Sequence, residues 1–433
     1  MTVVRNGRVV DPSQGLDGER DILVRDGKVA AIDRPGSFAS LRDEETIDAT
    51  GMLVTPGFID LHVHLREPGF EWKETVATGS DAAALGGFTT ICCMANTNPV
   101  NDCAEITRCI IDHARAHGRA HVLPIGSISK KLEGKEMSPL SELARAGCVA
   151  FSDDGEPVKD AGLMRRALEW ASMLGLTLSC HEEDKSLSCG GCMNESALST
   201  KLGLKGMPKV AEEVMIARDI ELARTTGARV HICHVSSGRG VELIRRAKND
   251  GIQISAEVTP HHLMLTEDAV TEYDTNAKMS PPLREAFEVE ALRRGLADGT
   301  IDAVASDHAP HELDSKRVEF SRATFGIIGL QTSLPILLEL ERTGVLSLSR
   351  AIESITSGPA KVFGLQAGSL RIGQCADLVV LDMGKQWQFS REHCCSKSFN
   401  TPFADRLLQG KASSVLLAGK TIVREERFVN GEA

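Results

Sequence analysis

The feature that most constrains this chain is an alternation running through its middle. Strand-like apolar runs start near Phe58, Thr89, His121, Cys148, Thr177, Arg229, Gln253 and Ile301. Amphipathic helical stretches lie between most of them, for example 102–117, 162–174, 208–226 and 283–298. Eight strands alternating with helices over roughly 300 residues predict an α/β fold of the (β/α)8, TIM-like barrel kind. A doubly wound sheet is the alternative, and the lack of a Gly-rich dinucleotide fingerprint after the first strand counts against it.

The two ends of the chain have a different texture. Residues 1–56 read as short strands and turns, with hairpin signals at Asn6-Gly7 and Asp26-Gly27. Residues 366–433 repeat that texture, with a strand over 376–381 and a turn at Ala418-Gly419-Lys420. Neither end carries enough apolar strand to bury a core alone. We expect 1–56 and 366–433 to pair into one small β-sandwich domain, with the barrel, 57–365, inserted between them.

Composition excludes several functions. A net charge of -11 without a basic run argues against nucleic-acid binding. No stretch is long and apolar enough to span a bilayer. The start, Met1 to Gly7, lacks the apolar core of a signal peptide, so a cytoplasmic location is expected. The 12 cysteines sit largely in apolar runs and fit reduced thiols. Cys189-Gly-Gly-Cys192 has half a zinc-knuckle spacing but no second pair nearby, and a surface loop is expected there.

Polar residues gather where the strands end, which is where a barrel carries its chemistry. The first strand ends in His62 and His64, two residues apart and hence on one face. Asp154 follows the fourth strand, His181 the fifth, His234 the sixth and Asp307 the eighth. Imidazoles and carboxylates suit zinc and similar divalent ions. Six such groups exceed one tetrahedral catalytic site and suit two metals sharing a carboxylate. Arg66 continues the face of the two histidines and is placed to meet an anion.

The motifs carry a resemblance. Asp60-Leu-His-Val-His-Leu-Arg-Glu-Pro-Gly69, Asn96-Thr-Asn-Pro99, Ser152-Asp-Asp-Gly155, Thr259-Pro-His-His262, Pro281-Pro-Leu-Arg284 and Asp307-His-Ala-Pro-His311 resemble the dihydroorotases of the amidohydrolase superfamily over essentially the whole chain. The branch resembled has an aspartate, here Asp154, where many relatives place a bridging carboxylated lysine. The resemblance implies Zn2+, one or two per subunit. His62 and His64 would hold the first ion with Asp307, His181 and His234 the second, and Asp154 would bridge. Asp307 is the implied catalytic base. Arg66, Asn96 and His311 are the implied carboxylate ligands, and Phe325 and Gly326 contact the ring. Ser280 departs from the pattern, which usually has Asn there, so weaker ring binding is expected. The implied reaction is reversible closure of N-carbamoyl-L-aspartate to L-dihydroorotate. Relatives of this kind are commonly homodimers or bound to an aspartate transcarbamoylase partner. The rival readings are a hydantoinase, dihydropyrimidinase or allantoinase of the same fold, and a non-catalytic scaffold for the transcarbamoylase.

Other groups are expected to serve the structure. Asp153 orients its neighbour, His261 and His262 support the site from behind, His308 positions the turn of Asp307, and the charged segment 312–325 forms a lid.

Overall fold

A computed structural model describes residues 1–41 and 45–429. The parts of the expected end domain at 42–44 and 430–433 lie outside the described residues.

The middle of the chain forms an eight-stranded parallel sheet in sequential order. Its strands are Phe58–Val63, Phe88–Cys93, His121–Gly126, Ala150–Phe151, Thr177–Cys180, Val230–Ile232, Ile254–Val258 and Ala303–Val304. A helix follows each one, as with Ala104–His117 after the second, Ala161–Leu174 after the fourth and Val210–Thr226 after the fifth. Local chemistry sets these helix ends. Asp160 accepts from the Leu163 N–H at the start of 161–174, and Gly175 closes that helix in the left-handed conformation.

The barrel closes between its eighth and first strands. The buried Asp60 carboxylate accepts from the His62 and Ser306 backbone N–H groups, and His64 N–H donates to His308 O at 2.9 Å. Burial raises the Asp60 pKa to about 7. A large apolar cluster fills the space between strands and helices. A smaller one, including Ile59, Leu61, Cys92, Ile125, Ala150 and Ala303, fills the barrel and is plugged by Val362 and Phe363. The apolar packing lies below the strand ends and leaves the polar groups at the mouth.

Both chain ends build one nine-stranded sheet. Its joint is Leu53–Pro56, parallel to Thr2–Asp11 on one side and antiparallel to Leu378–Gln388 on the other. One face buries Val4, Ile22, Val54, Leu378, Val380 and Leu416 in a core of its own. Val379, Leu381 and Val415 on the other face join the main core. The hairpin edge folds back, with Lys28 bridging to Cys375 and Ala376 N–H donating to Gly27 O. The sandwich expected from the sequence is therefore one continuous sheet curled over its own core.

The Asp26-Gly27 turn forms as read, with both residues at positive φ (52° and 75°). The Asn6-Gly7 hairpin does not form. Residues Thr2–Asp11 make one strand with a register shift between Val4 and Gly7. Asn6, at φ 61°, makes a bulge. A Cβ on Gly7 would meet Val54 Cγ2 at 2.5 Å, so the glycine serves close packing of neighbouring strands.

Candidate metal centre and cavity

The strand ends bring six groups into one cluster. Asp154 Oδ1 lies 3.4 Å from His62 Nε2, 3.4 Å from His234 Nε2 and 3.6 Å from His181 Nδ1, and its Oδ2 lies 3.5 Å from His64 Nε2. Asp307 Oδ1 is 3.1 Å from His64 Nε2 and 3.4 Å from His62 Nε2. The Asp154 carboxylate thus stands among all four imidazoles, and Asp307 stands beside the first pair. His234 and Asp307 have positive φ, 33° and 44°, conformations that cost on the order of 1–3 kcal/mol each.

The outer nitrogen of three rings is engaged, and this directs the inner one. His62 Nδ1 donates to Glu257 Oε1 at 2.8 Å, His64 Nδ1 to Asn96 Oδ1 at 2.9 Å and His181 Nε2 to Glu183 Oε2 at 3.2 Å. Each ring therefore turns its other nitrogen toward the carboxylates, with His181 Nδ1 also 3.0 Å from His234 Nε2. Lone pairs facing anionic oxygens repel unless a cation lies among them. His62 Nε2 is buried and has no hydrogen-bond partner. Burial lowers the His62 pKa, but the charges of Asp307 and Asp154 outweigh it and hold the ring well above the usual imidazole range. The donor set fits divalent cations.

The cluster opens into a cavity of about 470 Å3, whose wall includes Arg66, Asn96, Ser280, His311, Phe325 and Gly326. Arg66, at φ 63°, donates from Nε to Pro310 O at 3.2 Å, and its Nη2 lies 3.3 Å from His311 Nε2. Burial pushes its pKa down to about 10, which leaves it cationic at neutral pH. His311 is driven far down by burial and by Arg66 and Lys73, so it is a neutral ring between two cations. Asn96 spends its carbonyl on His64, so its NH2 end is the part free to face the cavity. A Cβ on Gly326, at φ 150°, would meet Ala309 O at 2.6 Å and the His311 ring at 2.7 Å. Only glycine lets the backbone pass so close to the cavity wall.

The supporting residues have definite contacts. Asp153 accepts from the Ile128 and Ser129 N–H groups, tying the fourth strand's exit to the loop after the third. His262 bonds Thr259 Oγ1 at 2.7 Å and Pro281 O at 2.9 Å, and burial pushes it down to about 3. His308 accepts from Gly329 N–H and lies 3.3 Å from Glu74 Oε2. The 312–325 segment is anchored. The Lys278 ammonium donates to Phe320 O, Ser321 O and Ala323 O at 2.7, 3.0 and 2.6 Å, and Lys316 to Thr324 O and Gly326 O at 2.8 and 3.0 Å.

Sequence reasoning missed Glu257, His231, Glu183 and Lys73. Glu257 Oε2 also accepts from His231 Nε2 at 3.0 Å, extending the chain behind His62. The signal for Glu257 was a lone carboxylate inside the seventh apolar strand.

A barrel that converges imidazoles and carboxylates on a cavity with Arg66 in its wall defines a metal-dependent hydrolase of the amidohydrolase class. A family model described as dihydro-orotase-like matches residues 51–239. The chain is 51% identical over 429 residues to a dihydroorotase from Anaeromyxobacter dehalogenans, covering 98% of both chains. It is 47% identical over 420 residues to a dihydroorotase from Trichlorobacter lovleyi, covering 97% of this chain and 98% of that one. The chain belongs to the dihydroorotase family. Among solved structures it resembles an L-hydantoinase from Arthrobacter aurescens, with TM-score 0.89, 27% identity and coverage of 99% and 97%. It also resembles a dihydropyrimidinase from Brevibacillus agri, with TM-score 0.85, 27% identity and coverage of 99% and 96%. No helix among the described residues is long and apolar enough to cross a membrane.

Proposed function

We propose that this protein is a dihydroorotase, which closes N-carbamoyl-L-aspartate to L-dihydroorotate and water in pyrimidine biosynthesis, and reverses that reaction. Residues 57–365 are its catalytic barrel, and 1–56 with 366–433 its composite β domain. The observation that carries the substrate choice is Arg66, a half-buried cation on the wall of the same cavity into which the ligand cluster opens. A neutral hydantoin or dihydropyrimidine leaves that charge unpaired, whereas a ring bearing a carboxylate pairs it.

His62, His64 and Asp307 would hold one zinc ion and His181 and His234 another, with Asp154 between them. When bound, the ions supply a water of lowered pKa and polarise the amide carbonyl. The chain's own groups do the rest. Arg66, the Asn96 amide and His311 fix the carboxylate, and this sets the ring carbonyl against the cluster. Ser280, Phe325 and Gly326 bound the ring. In the hydrolytic direction the water oxygen bonds to the ring carbonyl carbon and the carbon–nitrogen bond breaks. Asp307 takes the water's proton and delivers it to the leaving nitrogen. Cyclisation reverses each step.

Arg66→Gln tests the substrate reading. Without the bidentate charge, kcat/KM for dihydroorotate falls about a hundredfold or more while bound metal is unchanged. Unchanged kcat/KM removes Arg66 from substrate binding.

A further inference from the structure

A second cluster of metal-ligating groups lies at the opposite end of the barrel. His121 opens the third barrel strand, and Cys375 and Asp377 stand just before Leu378–Gln388 of the end sheet. One ligand atom from each of the three lies within 4.8 Å of the others. His121 Nε2 is 3.3 Å from one oxygen of Asp377 and 3.2 Å from the other.

This is poor geometry for an ion pair alone. A charge-assisted N–H···O bond runs about 2.7–2.9 Å to one oxygen. Here the ring nitrogen is almost equidistant from both oxygens, and the Cys375 thiol stands in the same cluster. The imidazole–carboxylate spacing also fits a coordination sphere. With metal–ligand bonds of about 2.0–2.3 Å, tetrahedral ligand atoms stand about 3.4 Å apart. Imidazole, thiolate and carboxylate are also the donors that zinc-like ions take.

The three side chains sit on fixed backbone. Asp377 Oδ1 accepts from Ala418 N–H at 2.7 Å, its carbonyl accepts from Gly57 N–H at 2.9 Å, and the Cys375 neighbourhood is tied by the bridge to Lys28. The His121 side chain is 40% exposed, so solvent reaches the cluster and a fourth position is open.

We propose that His121, Cys375 and Asp377 bind a thiophilic divalent cation of the zinc or cobalt kind, with water as the fourth ligand, and that the ion fastens the end sheet to the barrel. It is independent of the catalytic centre.

Cobalt titrated into the full-length protein tests this, because the catalytic ligands proposed above include no thiolate. The expected result is a near-ultraviolet thiolate-to-cobalt charge-transfer band that saturates at one equivalent, with a rise in Tm. Cys375→Ser and His121→Gln each lose the band and one metal equivalent by elemental analysis, yet open dihydroorotate at the wild-type rate. Cys233→Ser, which alters the thiol nearest His62, keeps the band. The proposal is overturned by a band that survives Cys375→Ser, by a band lost in Cys233→Ser, or by no band with equal metal content in wild type and Cys375→Ser.

Discussion

Glu257 is the residue on which the inward aim of His62 depends. It receives N–H groups from His62 and His231. In spite of its burial, these two rings hold its carboxyl well below the usual range. Glu257→Gln leaves the two rings sharing a neutral amide, and metal affinity falls about 10–100-fold, read by competition with a chromogenic chelator. Asp307 is different in kind, since it is both a proposed ligand and the proposed proton carrier. Asp307→Asn keeps the fold by circular dichroism and loses about 10^2–10^4 in turnover. Wild-type turnover in that variant removes Asp307 from the base role. Polar groups at the strand ends were legible because a histidine or aspartate there breaks an apolar run. Glu183 and Lys73 were not, because their roles come from pairing with His181 and His311, and such pairings join residues far apart in sequence or on loops without periodicity.

The 312–326 segment shows how an element can be read correctly in place and incompletely in behaviour. Its charge marks it as a loop over the site, but its hold comes from Lys278, far away in sequence, whose ammonium gathers three of its carbonyls. Lys278→Met frees those carbonyls. Amide exchange over 313–325 then quickens, and KM for dihydroorotate rises more than kcat falls. Lys316 adds a pH dependence. Burial, with Lys278 nearby, pushes its pKa from 10.5 to about 7. Between those values the unfolded chain binds more protons than the native one, so this group's contribution to stability rises with pH across that window. Lys316→Met flattens that slope, measured as the difference in urea midpoint between pH 7 and pH 9. The end strands teach a related lesson. Asp26-Gly27 and Asn6-Gly7 look alike as turn signals, yet only the first is flanked by strands that pair with each other. At Asn6 the chain continues because Val54 packs against the space a side chain would fill.

At the scale of the molecule, alternation fixed the barrel, since each strand needs a helix on its outer face to cover it. The joining of the two ends was readable only as a deficit, because neither had a core. Its form, a single sheet hinged on Leu53–Pro56, depends on register that no local pattern encodes. A chain ending at residue 376 loses the partner of that strand and fails to accumulate as soluble protein. The central claim concerns the cavity, where a cluster of metal-ligating groups and a half-buried arginine select a cyclic amide bearing a carboxylate. The most direct test compares ring opening of L-dihydroorotate and of dihydrouracil, the same ring without the carboxylate, using zinc-loaded protein before and after a chelator. The account predicts turnover of dihydroorotate, abolished by the chelator and restored by zinc, with dihydrouracil nearly inert. Equal or faster opening of dihydrouracil, or turnover indifferent to the chelator after metal has been removed, contradicts it.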